Sequence, residues 1–160
     1  VIASVQPFHI IDDSRWAHKR IEEDVLEGTF AFRSLLDGGA TLAFGSDWTV
    51  APISPILGIY GAVTRHTIDG SQPDGWYPEQ RLTVEQSLKA YTAGVAFAGF
   101  QENILGTLEV GKLADFVVLS ADLFQIEPKE IKNIGVIRTV VGGATQFMSG
   151  ASGGQKPIWH

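Results

Sequence analysis

The sequence has no cysteine and only four histidines. A disulfide framework, a thiolate nucleophile and a cysteine-ligated zinc site are therefore excluded, and any metal chemistry must rest on imidazoles and carboxylates. Long apolar runs are missing, none approaching the roughly 20 residues needed to cross a bilayer. Positive charge is scarce: 12 Lys and Arg stand against 18 Asp and Glu, a net charge of -6. Nucleic acid and acidic membrane surfaces are thereby disfavoured as partners, because clustered Lys and Arg are what holds them. The chain also lacks G-x-G-x-x-G, Walker and H-E-x-x-H motifs, and Gly45-Ser46-Asp47 is without the second glycine of a nucleophile elbow.

What remains is a chain of 160 residues, 44% hydrophobic and 19% charged, the size and composition of one globular domain. Val1 opens directly into the apolar run Val1–Val5 with no leader pattern before it, so a piece of a longer protein is expected and the compartment stays open. That run, stopped by Gln6-Pro7, predicts a short buried strand. Asp12-Asp13-Ser14 predicts a helix cap with the helix starting near Arg15, and Ile11 to Glu27 reads as a solvated, charge-dense face. Phe30, Phe32, Leu35 and Leu36 form an amphipathic pattern ended by Gly38-Gly39. Ala40–Phe44 is a second strand, about 36 residues after the first, the size of one βαβ crossover. The two strands are expected to be parallel neighbours, with ligands gathered at their carboxyl ends near His9 and Asp47.

Further on, Ile56, Leu57, Ile59, Tyr60 and Val63 predict one apolar helix side, and residues 67–81 a surface loop. Thr83 with Gln86 is a capping box opening a helix whose apolar face carries Val84, Leu88, Tyr91, Val95 and Ala98. Beyond Gly106 the period becomes that of strands, Leu113–Leu119 and Ile134–Val141, with Gly142-Gly143 as a hairpin turn before Ala144–Met148. The division expected is 1–106, 107–148 as an all-β layer, and a fraying tail over 149–160.

Asp47 ends an apolar strand before an irregular loop, where an aspartate serves as metal ligand or proton shuttle, or else as a turn former. His9 just past the first strand is a metal ligand, a substrate contact, a general acid or an exposed loop residue. Trp48 beside Asp47 is expected at a pocket wall. His18 reads as solvated, and His66 as a structural, partly cationic imidazole at a helix C-terminus.

Gly106-Thr-Leu-Glu-Val-Gly-Lys-Leu-Ala-Asp115-Phe-Val-Val-Leu119 resembles the C-terminal signature of the amidohydrolase superfamily, where the chain leaves a barrel for a small β-sandwich. Ala3-Ser-Val-Gln-Pro-Phe-His9, Arg33-Ser-Leu-Leu-Asp-Gly-Gly39 and Ala43-Phe-Gly-Ser-Asp-Trp48 narrow the resemblance to the YtcJ-like (amidohydrolase family 3) metal-dependent hydrolases. It implies an α/β fold, the C-terminal part of a TIM barrel (strands 7 and 8 with their helices) plus part of a β-sandwich. It implies one or two divalent metal ions, usually zinc, in the complete protein. It gives Asp47 the strand-8 role of metal ligand and proton carrier, and His9 and Trp48 a substrate-lining role. Gly111, Lys112 and Asp115 then turn the chain into the sandwich. The family's paired histidines, bridging Lys or carboxylate and later histidines are not in this sequence, so the 160 residues alone are expected to be inactive and to bind zinc weakly. The expected activity is hydrolysis of a C–N bond in an amide-like small molecule. The rival expectation is a non-enzymatic truncated module that associates, with another chain or a second copy, through an open sheet edge. Isomerisation or deamination on the same residues is not separated from hydrolysis.

Overall fold

The computed structural model of the chain describes residues 1–150, so His160 and most of the expected tail lie outside the described residues. The first strand, β1 (Ile2–Val5), stops at Pro7, and the helix α1 (Phe8–Asp13) begins at once behind it. A single 3-10 turn at Ala17–Lys19 and the short α2 (Glu23–Leu26) lead to α3 (Phe32–Asp37) and β2 (Thr41–Phe44). β1 and β2 pair in parallel from Ile2↔Thr41 to Val5↔Phe44, as the crossover length predicts. After β2 come α4 (Pro55–Thr64), α5 (Val84–Tyr91) and α6 (Ala93–Ala98). The strands β3 (Phe116–Leu119), β4 (Val136–Val141) and β5 (Ala144–Met148) form a separate antiparallel sheet in the order β3-β4-β5. The result is a mixed α/β architecture. No helix among the described residues is long and apolar enough to cross a membrane.

One apolar cluster joins Ile10, Phe32, Leu42, Phe44, Ala62, Leu82 and Ala90, tying α1, α3, β2 and α4 together. A second, around Ile11, Ile59, Tyr60, Val63 and Ile131, lies on the other side of α4. Hence α4 is buried on nearly every face, not along one side as its spacing predicts. Gly58 and Gly61 make this possible, since neighbouring groups lie where their side chains would be: the Tyr91 ring at Gly58, and the Pro7 carbonyl 2.7 Å from a Cβ at Gly61.

The capping box is present, Gln86 N–H donating to Thr83 Oγ1 at 3.1 Å and Thr83 N–H to Gln86 Oε1 at 2.9 Å. Arg33 reaches across from α3 and donates to the same Gln86 oxygen and to the Arg81 carbonyl. The helix does not run through to Ala98: Thr92, at φ -122 and ψ -88, breaks it into α5 and α6. On α5, Val84, Leu88 and Tyr91 pack half-buried against the second cluster, with Ser87 and Ala90 fully buried beside them; after the break Val95 turns out to 40% exposure and Gly94 and Ala96 are buried. The Gly142-Gly143 turn joins β4 and β5, both glycines at positive φ, and Asp115 Oδ1 accepts the Gly142 N–H at 2.6 Å. Asp115 thus fixes the hairpin.

Three local expectations are corrected. Asp12-Asp13-Ser14 closes a helix instead of opening one, because Pro7 has already started α1 and the Ser14 hydroxyl turns back onto the Ile10 carbonyl. The stretch from Ile11 to Glu27 is not wholly solvated, since Ile11, Ser14, Ala17 and Leu26 are buried. Within residues 67–81, Trp76 and Gln80 are buried, Trp76 packing with Ala17 and Leu26 and against the edge of Phe30.

Candidate active site

Because β1 and β2 are parallel, their carboxyl ends open on the same side, and the residues that follow each strand meet there. Gly45 N–H donates to Val5 O at 3.1 Å, extending the ladder by one bond before the chain leaves the sheet. Asp47 sits two residues on, in the left-handed region at φ 56, a conformation that Asp tolerates better than most residues. Its carbonyl accepts from Val50 and Ala51 N–H at 2.9 and 3.0 Å, and the Ser46 hydroxyl donates to the Ile53 carbonyl at 2.8 Å. With Ala51 buried beneath it, the loop carrying Asp47 is pinned at several points.

His9 comes from the opposite strand, but it stands on the first turn of α1 instead of in a loop. Its Nε2 lies 3.1 Å from Asp47 Oδ2. The imidazole is 21% exposed and the carboxylate 46%, so the pair is a hydrogen-bonded rim group with its outer side open. Trp48, next in the loop, is 66% exposed and takes an open position on that rim, not an enclosed wall. His18 is exposed, as its charged surroundings predict.

His66 follows the C-terminus of α4, but burial, with Arg81 and Lys132 nearby, lowers its pKa below the ordinary value of 6.5. The expected partly cationic imidazole is therefore replaced by one held toward the neutral form, its ring edge-on to Tyr60 at 6.3 Å. The cation at that helix end is Arg65 instead, fully buried, donating to the Trp76 carbonyl at 2.7 Å and the Phe30 carbonyl at 2.8 Å. Burial lowers its pKa to about 10. Nothing in the local sequence marks Arg65 as a core residue. Asp13 was also missed, its Oδ2 lying 3.6 Å from His9 Nδ1; the i,i+4 spacing is its signal once Phe8–Asp13 is known to be helical.

Among the described residues no group of three or more His, Asp or Glu side chains is arranged to hold a metal ion. A catalytic zinc needs about three protein donors. His9 and Asp47 are of the right chemical type and too few, so the residues described do not by themselves make a metal site.

The family pattern described as the Amidohydrolase family matches residues 1–147. Over 144 residues the chain is 40% identical to Protein LONG AFTER FAR-RED 3 of Arabidopsis thaliana, covering 89% of this chain and 24% of that protein. It is 32% identical over 143 residues to the Putative amidohydrolase YtcJ of Bacillus subtilis, covering 89% of this chain and 27% of that one. It is 30% identical over 118 residues to the N-substituted formamide deformylase of Arthrobacter pascens, covering 74% and 21%. In structure it is similar to an uncharacterized metal-dependent hydrolase from Pyrococcus horikoshii, with a TM-score of 0.70, 29% identity, and 80% of this chain matched to 26% of that one. The chain thus spans about a quarter of the length of the relatives it matches. With the family pattern running from its first residue through β4 and nearly all of β5, the chain belongs to the amidohydrolase family.

Proposed function

We propose that this chain is the C-terminal portion of a metal-dependent amidohydrolase that cleaves a C–N bond in a small amide-like molecule, and that Asp47 is its proton-carrying carboxylate. The observation that carries the reading is the His9–Asp47 hydrogen bond of 3.1 Å at the shared carboxyl end of β1 and β2. In this reading β1 and β2 are strands 7 and 8 of a TIM barrel, residues 1–106 belong to that barrel, and 107–148 to a β-sandwich. Other parts of the parent protein supply the remaining strands along the free edges of the two-stranded sheet, and the remaining metal donors. The formamide deformylase, whose name states C–N chemistry, supports the bond type.

A divalent cation, zinc by the family resemblance, would acidify water and polarise a carbonyl when bound. The chain's own part is proton handling. Asp47 accepts the proton that water loses as it adds to the carbonyl carbon, then returns it to the departing nitrogen. With that carboxylate ionised, His9 Nε2–H donates to Oδ2 and leaves the other oxygen open for the transfer. Trp48, next to Asp47 in sequence and exposed, lies against the substrate in this reading.

The test is Asp47→Asn in the full-length parent enzyme, assayed on simple N-substituted amides with zinc supplied. A fall in kcat of about 10² to 10⁴, the range for a lost general acid–base group, is expected with an unchanged circular dichroism spectrum. Full activity in the variant refutes the role. The 160 residues alone are expected to show no turnover and only weak zinc binding; a tight stoichiometric site by calorimetry would overturn the division of donors.

A further inference from the structure

The His9 ring is held between two carboxylates, and only one of them belongs to the proton carrier. Its Nε2 meets Asp47 Oδ2 at 3.1 Å, while its Nδ1 faces Asp13 Oδ2 at 3.6 Å, one helical turn along α1. We propose that Asp13 is a positioning residue whose carboxylate holds the His9 ring in the orientation that presents Nε2 to Asp47. The inference rests on the role given to Asp47 above.

The physical need is specific. An imidazole turns about its Cβ–Cγ bond in a broad, roughly two-fold well, so sterics alone do not choose between its two flipped forms. A flip exchanges Nδ1 with Cδ2 and Nε2 with Cε1, which sets a carbon against Asp47 in place of the hydrogen-bonding nitrogen. The Phe8 ring, edge-on to His9 at 6.4 Å, packs equally well on either form. A carboxylate on the Nδ1 side distinguishes them when that nitrogen also carries a proton: the imidazolium turns an N–H toward each carboxylate, whereas the flipped ring turns C–H groups toward both. Asp12 does not serve, although it is adjacent: its carboxylate is tied to the Arg15 guanidinium. The i,i+4 spacing selects Asp13, and its 48% exposure leaves it free to face the ring without a competing cation among the described residues.

The experiment reads the ring and not turnover. In the chain carrying ¹⁵N- and ¹³C-labelled histidine, long-range ¹H–¹⁵N correlation and ring ¹³C relaxation are recorded for wild type, Asp13→Ala, Asp13→Asn and Asp12→Ala. The expected wild-type ring is rigid, with a hydrogen-bonded Nε2–H. Asp13→Ala loses that order and shifts the Nε2 resonance. Asp13→Asn, which keeps an acceptor oxygen, restores most of it, and Asp12→Ala is silent. Should Asp13→Ala fail to fold, as judged by amide dispersion, Asp13→Ser takes its place, being too short to reach Nδ1. A His9 ring unchanged in the Asp13 variants, or equally disturbed by Asp12→Ala, overturns the proposal. Such a result beside an inactive Asp47→Asn parent enzyme removes Asp13 alone and leaves the Asp47 role standing. An active Asp47→Asn enzyme removes the foundation.

Discussion

Gly61→Ala tests how tightly the helix carrying His9 is seated. Gly61 lies in the middle of α4, where α4 crosses the start of α1, and a Cβ built there stands 2.7 Å from the Pro7 carbonyl oxygen and 3.1 Å from Ile11 Cγ1. The Pro7 carbonyl already accepts the first bond of α1, from Ile10 N–H at 3.2 Å, so it cannot swing away without loosening that turn. In a well-packed interior an added methyl group that meets backbone costs toward the upper end of about 1–3 kcal/mol. Against it stands a gain of about 1 kcal/mol, because alanine is a better helix former than glycine. The net is a loss of about 2 kcal/mol, or a Tm lower by about 4–8 °C for a chain of this length. The control is Gly99→Ala, where φ is negative and a Cβ meets only the carbonyl oxygens of Val95 and Ala96 at 3.5 and 3.7 Å; it should be neutral or slightly stabilising. Urea and thermal unfolding followed by circular dichroism read both. A Gly61→Ala chain as stable as the Gly99→Ala chain refutes the packing argument. It also removes the reason for thinking that α4 sets the position of His9.

Other consequences are sharper in sign than in size. Arg65→Ala strands the buried Trp76 carbonyl and takes one of its two donors from the Phe30 carbonyl, and should cost about 3 kcal/mol by urea titration, with Arg65→Lys recovering only part because one ammonium does not replace the planar fork. Thr83→Ala removes the cap of α5 and should cost about 1 kcal/mol, visible as a lower urea midpoint with an unchanged slope. His66 has its pKa lowered in the folded chain, so below the ordinary value of 6.5 the unfolded chain binds more protons and stability falls as pH drops through that window; His66→Gln should flatten this part of the stability–pH curve.

The parts of the fold written in local chemistry were legible. Two short β-branched or apolar runs one crossover apart became parallel neighbours, Thr83 with Gln86 became a capping box, and Gly142-Gly143 became a hairpin turn. The failures share a cause, which is that tertiary packing chose between local options of similar weight. Asp12-Asp13-Ser14 suits either end of a helix, and Pro7 settled it by starting α1 earlier. The apolar period from Val84 to Ala98 fits one long helix, yet the turn at Thr92 sends Gly94 and Ala96 inward so that α6 can lie against β2, with no room for a Cβ at Gly94 beside the Leu42 carbonyl. Spacing on α4 marks one apolar face, while its small residues at positions 58, 61 and 62 let a second layer approach the other. For the site, the sequence pointed to Asp47 and His9 at one end of the parallel pair; their direct contact and the flanking Asp13 follow only from the register of the sheet and the early start of α1.

That register is where fold and chemistry are joined. The last rung of the parallel pair is Val5↔Phe44, and His9 and Asp47 lie four and three residues beyond it. A slip of one residue moves a strand by about 3.3 Å and turns every side chain to the opposite face. Either change separates groups that are 3.1 Å apart. The register is enforced mainly by Phe44, buried between Phe32 at 5.6 Å and Tyr91 at 5.2 Å ring to ring, while the three residues after it are progressively released from the core. A large aromatic anchor three positions before the carboxylate thus fixes the strand end in the core. The loop hydrogen bonds to the Asp47 carbonyl then hold the final residue, whose side chain is open on its outer side, as the proposed proton transfer requires. Burial sets the position and exposure would permit the proposed proton transfer, so the two demands fall on neighbouring residues and not on the same one.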